Sequence, residues 1–163
     1  MIVAGTGHRP PRLGLTYSTD DHNLLVGFVR KELAKLEGVN MVLTGGAQGF
    51  DQALYAAAWE LGIPYTVAVP FVGQEVKWPE DAKRFYQAML DDAADVVIVC
   101  DGGYAGWKFV QRDKWLVDHS DVLWALLDDR PEKSGTRHTV EHAVENNKPV
   151  TNLWERFVEW SSK

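Results

Sequence analysis

Short, unbroken apolar runs separated by longer stretches of helical period constrain this chain more than any other feature. The runs cover residues 2–4, 41–43, 65–69, 96–99 and 122–127, with a weaker sixth at 150–153. They do not alternate apolar with polar, so each reads as a strand buried on both faces, as a parallel sheet requires. Between them, Leu25, Val29, Leu33 and Leu36 mark one face of a helix over residues 20–37. Leu54, Ala57, Ala58 and Leu61 mark a second, ended by Gly62 and Pro64. Ala82, Phe85, Tyr86, Met89 and Leu90 mark a third, segments near 107–117 and 138–147 complete the set, and the tail at 154–160 is an amphipathic turn or two. The expected fold class is α/β: a single Rossmann-like domain over residues 1–163, doubly wound and mainly parallel, with helices on both faces and right-handed crossovers.

Ligands of such sheets sit beyond the carboxyl ends of the strands, where strand order reverses. The loops that follow strands therefore carry the candidate chemistry. After the first strand, Gly5 and Gly7 let backbone approach a ligand, while His8 and Arg9 offer a proton carrier and a fixed cation. A plain Gly-Pro turn with an exposed arginine is the competing interpretation. After the second strand, Gly45, Gly46, Gln48 and Gly49 lead straight into a helix, where amides converge on an anion such as phosphate. Asp51 would repel a phosphate at contact distance, so it is expected as a helix cap or as an acceptor for ribose hydroxyls.

In the third loop, Gln74 is placed to read a base edge, and Trp78 either stacks on a base or plugs the edge of the core. The fourth loop offers Tyr104 and Trp107 among glycines, as a stacking surface, a cover or an ordinary flexible loop. The fifth, residues 128–137, ends in a second anion cradle at Gly135 and Thr136. One turn further on, Glu141 is either a general base or a solvent-facing partner of a neighbour.

Other functions are disfavoured. Seventeen basic against 23 acidic residues give a net charge of −6 with no basic stripe, so nucleic acid is not the expected partner. Cys100 is the only cysteine, expected as a buried strand residue in a reducing compartment. The first residues are too quickly broken for a signal peptide, and no apolar run approaches the ~20 residues of a membrane span. A cytoplasmic protein without membrane contact is expected. The first loop has Pro10 where a dinucleotide fingerprint wants its third glycine, and the second has no lysine for a P-loop. His138 and His142 fit H-x-x-E-H, yet a third zinc ligand is wanting, so neither metal nor cofactor is expected. Seven tryptophans are many for 163 residues. Trp107 and Trp115, eight apart in one helix, project from the same side and suggest a homodimer.

Several of these pieces, taken in order, resemble a known family. They are Gly5-Thr6-Gly7-His8-Arg9, Thr44-Gly45-Gly46-Ala47-Gln48-Gly49-Phe50-Asp51-Gln52 and Phe71 through Gln74 to Trp78. With them go Trp115-Leu116-Val117-Asp118-His119-Ser120-Asp121 and Ser134-Gly135-Thr136 with Thr139-Val140-Glu141. Together, over about residues 1–150, they resemble the YpsA-type branch of the SLOG superfamily. That resemblance implies a Rossmann-like fold binding nucleotides or NAD- and ADP-ribose-derived molecules. Some members are sensors, and DprA-like relatives bind DNA. The Lonely Guy branch hydrolyses nucleotide 5′-monophosphates at the N-glycosidic bond, with an arginine and a glutamate near a P-G-G-x-G-T-x-x-E motif. Here the segment is Lys133-Ser134-Gly135-Thr136, with Glu141 five residues beyond the threonine. Binding or sensing is therefore the expected role. In the hydrolase alternative, Arg9 steadies phosphate or developing charge and Glu141 activates water.

Overall fold

The computed structural model describes residues 1–128, 130 and 133–163. Among these, six strands form one all-parallel sheet: β1 (Ile2–Gly7), β2 (Met41–Thr44), β3 (Tyr65–Val69), β4 (Asp95–Ile98), β5 (Val122–Leu126) and β6 (Val150–Asn152). Their order across the sheet is β4-β3-β2-β1-β5-β6. The helices are α1 (Thr19–Ala34), α2 (Phe50–Glu60), α3 (Glu80–Asp92), α4 (Gly106–Asp118), α5 (Gly135–Glu145) and α6 (Trp154–Ser161), and a 3-10 turn spans Pro10–Leu13. The chain winds outward from β1 to β4 and then returns to the other side of β1 for β5. The strand order thus reverses between β1 and β5, as the expected doubly wound fold requires.

Two apolar layers hold the sheet. On one face Leu25, Phe28, Val29 and Leu33 of α1 pack with Phe50, Leu54 and Ala57 of α2, Met89 of α3 and Phe157 of α6. On the other, Leu116 and Val117 of α4 and Ala143 of α5 cover Ala4, Leu43, Ala68 and Leu123. The helix starts follow local chemistry. Ser18 caps α1 by accepting from the Asp21 amide at 3.2 Å, and Ser134 caps α5 through the Arg137 amide at 3.1 Å.

The fourth apolar run forms an edge strand, whose Asp95 and Ile98 are exposed rather than buried on both faces. Cys100 lies just beyond it and is only half-buried. No helix among the described residues is long and apolar enough to cross a membrane.

Candidate functional site

The turn from β2 into α2 is held by hydrogen bonds from four directions. Thr44 Oγ1 donates to the Asp51 carbonyl at 2.8 Å, and Gln52 Nε2 donates to the Gly46 carbonyl at 3.2 Å. The Gly45 carbonyl accepts from Gln74 Nε2 at 3.2 Å and from Arg112 Nη1 at 2.7 Å. Asp51 Oδ2 accepts from the Ala47 amide at 3.3 Å, and the Gly46 amide reaches Thr44 Oγ1 at 3.4 Å. Rather than capping α2 as expected, whose N-cap is Gly49 with no side-chain bond, Asp51 is turned inward and braces the turn. Burial drives its pKa up to about 7 against the pull of the Arg112 guanidinium, with Asp113 adding to the rise.

This geometry changes the role of several predicted residues. The Gly46 and Ala47 amides, part of the phosphate cradle expected over residues 45–49, are engaged inside the turn. Gly46, at φ +76°, backs onto Tyr86, Met89 and Val67, and an added Cβ would lie 3.0 Å from Tyr86. Gly5 and Gly7 are packing residues rather than ligand contacts. A Cβ on Gly5 would lie 2.3 Å from Leu54, and one on Gly7 2.4 Å from Phe50, so these glycines let α2 lie close on β1. Gly49, at φ +98°, crosses directly over the first loop, 2.6 Å from the His8 carbonyl when given a Cβ.

His8 is buried and its Nε2 accepts from the Asp128 amide at 3.0 Å. Burial, reinforced by Arg12 and Arg130 and opposed by Asp128, lowers its pKa to about 4. It is a neutral acceptor tying the β1 and β5 loops together, not the expected proton carrier. Arg9 is exposed and, among the described residues, makes no ion pair.

The remaining predicted residues divide. Gln74 spends its amide nitrogen on Gly45 and, at 2.8 Å, on the Tyr86 hydroxyl, so it positions the turn. Trp78 is half-buried and meets Tyr86 edge-on at 5.3 Å, the plugging role. Tyr104 is 79% exposed and leans edge-on against Phe71. Its loop is clamped by Lys108 Nζ, which donates to the Asp101 and Gly103 carbonyls. Gly135 is exposed and Thr136 buried at the start of α5, and part of the loop before them lies outside the described residues. Glu141 is exposed and is not part of the lining of the α1–α2–α3 cavity. Its side chain is 56% exposed with His138 at 3.9 Å, because its position on α5 points away from the sheet. His142 pairs with Asp118 at 3.0 Å across α4 and α5.

A cavity of about 700 Å³ lies on the α1–α2–α3 face, with Pro10, Gln48 and Gly49 in its lining. Its volume is that of a small-molecule site. Tyr17, His22, Tyr55, Trp59 and Phe85 supply aromatic surface to it. The residue-by-residue reading missed this wall, along with Arg112 and Tyr86. Tyr55 and Trp59, four apart on α2, are the one local signal that it leaves in the sequence.

Known proteins place the chain further. The model of the YspA SLOG family matches residues 3–156. A UPF0398 protein of Lysinibacillus sphaericus is 28% identical over 141 residues, covering 79% of this chain and 77% of the relative. The SPbeta prophage-derived protein YoqJ of Bacillus subtilis is 31% identical over 134 residues, covering 71% and 75%. Among solved structures, DNA processing protein A of Helicobacter pylori superposes with a TM-score of 0.64 at 22% identity over 92% of this chain. The chain spans 63% of that protein and 48% of its Streptococcus pneumoniae counterpart. The molybdenum cofactor carrier protein of Chlamydomonas reinhardtii superposes with a TM-score of 0.54 at 20% identity, covering 91% of this chain and 73% of the carrier. These structural likenesses concern the fold. The family match over nearly the whole length identifies the chain itself: it belongs to the YspA SLOG family.

Proposed function

We propose that this chain binds a nucleotide or an NAD- or ADP-ribose-derived small molecule at the carboxyl edge of its sheet, as a binding or sensing protein of the cytoplasm. The observation that carries this reading is the aromatic cavity of about 700 Å³ whose lining includes Pro10, Gln48 and Gly49 from two strand-following loops. Arg9, next to Pro10 in the chain, is an exposed cation. Aromatic surface beside a fixed cation suits a ligand that joins a flat ring to an anionic group. Among proteins of similar fold, one is described as a molybdenum cofactor carrier and another as binding single-stranded DNA.

Hydrolysis fits less well. Glu141 lies on α5, on the layer opposite the cavity, and faces solvent. His8 is neutral and already accepts a hydrogen bond. Incubation with nucleoside monophosphates, followed by chromatography for free base, separates the roles. A thermal shift without base release supports binding. Base release that disappears in Glu141→Gln would establish the hydrolase instead. Self-association through the exposed Trp107 belongs to the same proposal.

A further inference from the structure

The cavity wall has a chemistry more specific than its size. Its lining contains no lysine or arginine, while three carboxylates, Asp21, Glu60 and Asp81, stand in it. Phosphate inside would meet those carboxylates, of which Glu60 is paired with Arg30 at 3.2 Å, with no cation in the lining itself. The wall is instead aromatic, with rings contributed by the segment before α1, by α1, by α2 and by α3. Trp59 is 60% exposed and Tyr17 55% exposed, which leaves broad ring faces uncovered around one concavity.

Polar ends are available as well. Among the described residues, the side-chain amides of Gln48 and Asn23 and the ring nitrogens of His22 make no hydrogen bond, although all three residues line the cavity. Gln52, by contrast, has its amide nitrogen committed to Gly46. His22 sits edge-on to Phe85 at 5.1 Å, and burial lowers its pKa, which keeps the ring neutral. Planar amides pair with the donor and acceptor edge of a purine, and aromatic faces stack on any heteroaromatic ring.

We infer that the α1–α2–α3 cavity receives the uncharged heteroaromatic ring of a purine-type ligand, and that anionic groups of the ligand remain outside, beyond Pro10 on the Arg9 side. This inference rests on the nucleotide-type reading above and adds to it a division of the ligand: ring recognition in the cavity, with phosphate outside it and dispensable. The phosphate end then contributes no more than an exposed charge pair does.

The test is calorimetric titration of adenosine, guanosine and their 5′-monophosphates into the wild-type chain and two variants. Ala56→Trp fills the cavity, and Gln48→Ala removes an amide that no protein group uses; circular dichroism confirms that each is folded. A nucleoside is expected to bind within about fivefold of its monophosphate. Ala56→Trp should abolish both, and Gln48→Ala should weaken both by roughly tenfold. Monophosphate binding unchanged in the two folded variants, or monophosphate binding without nucleoside binding, overturns the inference and leaves the nucleotide reading standing. No binding of any of the four compounds to the wild type also overturns the inference, and the wider reading then stands or falls on titration of NAD and ADP-ribose.

Discussion

Arg112 of α4 donates from Nη1 to the Gly45 carbonyl at 2.7 Å, linking residues 67 apart in sequence across the carboxyl edge of the sheet. Both residues are buried, and Arg112 Nε also holds Asp113 at 2.7 Å. The turn that contributes Gln48 and Gly49 to the cavity lining is thus anchored from the opposite helical layer. Arg112→Met should leave the half-buried Asp113 and the buried Asp51 without their cation and cost about 3–5 kcal/mol, measured by urea denaturation. Removing the exposed Arg30–Glu60 pair by Arg30→Met should cost no more than about 1 kcal/mol. Equal losses would contradict the anchoring role.

Asp51 and His8 should shape the pH dependence of stability in opposite senses. Asp51 rises from 3.8 to about 7 on folding, so between those values the native state binds the extra proton and its contribution is lost as pH rises. His8 falls from 6.5 to about 4, so its contribution is present above pH 6.5 and is lost as pH falls toward 4. Relative to wild type, Asp51→Asn should therefore gain stability as pH rises from 4 to 7, and His8→Gln should lose it from 4 to 6.5. Denaturant midpoints at four pH values would check both signs.

Gly7→Ala places a methyl 2.4 Å from the Phe50 side chain and should cost about 1–3 kcal/mol through overpacking. At Gly135 a Cβ meets nothing within 4 Å, and Gly135→Ala, inside a helix, should be neutral or slightly stabilising. Thermal unfolding of the two variants decides whether the first-loop glycine serves packing.

These contrasts mark where the sequence was legible. Apolar runs such as residues 65–69 announced buried parallel strands, because an unbroken run is what two covered faces demand. The edge position of β4 was hidden, since exposure there follows from strand order rather than from local composition. Glycines read as ligand contacts at positions 5 and 7 turned out to serve helix packing, because a missing Cβ has the same spelling in both uses. The cavity wall was the least visible feature. Tyr17, His22, Tyr55 and Phe85 lie in four separate segments and meet only in the folded chain.

Trp107, 59% exposed, shares one side of α4 with Val110, 43% exposed, whereas Trp115 is half-buried and stacked on His119 at 4.1 Å. A homodimer would use the first pair. Light scattering should give twice the chain mass for wild type and the single-chain mass for Trp107→Glu, since a buried unpaired carboxylate costs several kcal/mol. A wild type at the single-chain mass across concentrations would end the dimer proposal.

Ligand-induced stabilisation tests the central claim most directly. Equilibrium unfolding of the wild-type chain should be followed with and without nucleosides, nucleoside monophosphates, NAD and ADP-ribose. At least one compound, at a hundred times its dissociation constant, is predicted to raise the unfolding free energy by about 2.7 kcal/mol. The same compound should leave Ala56→Trp unchanged. Unfolding curves that superimpose for every compound in the panel would contradict the account.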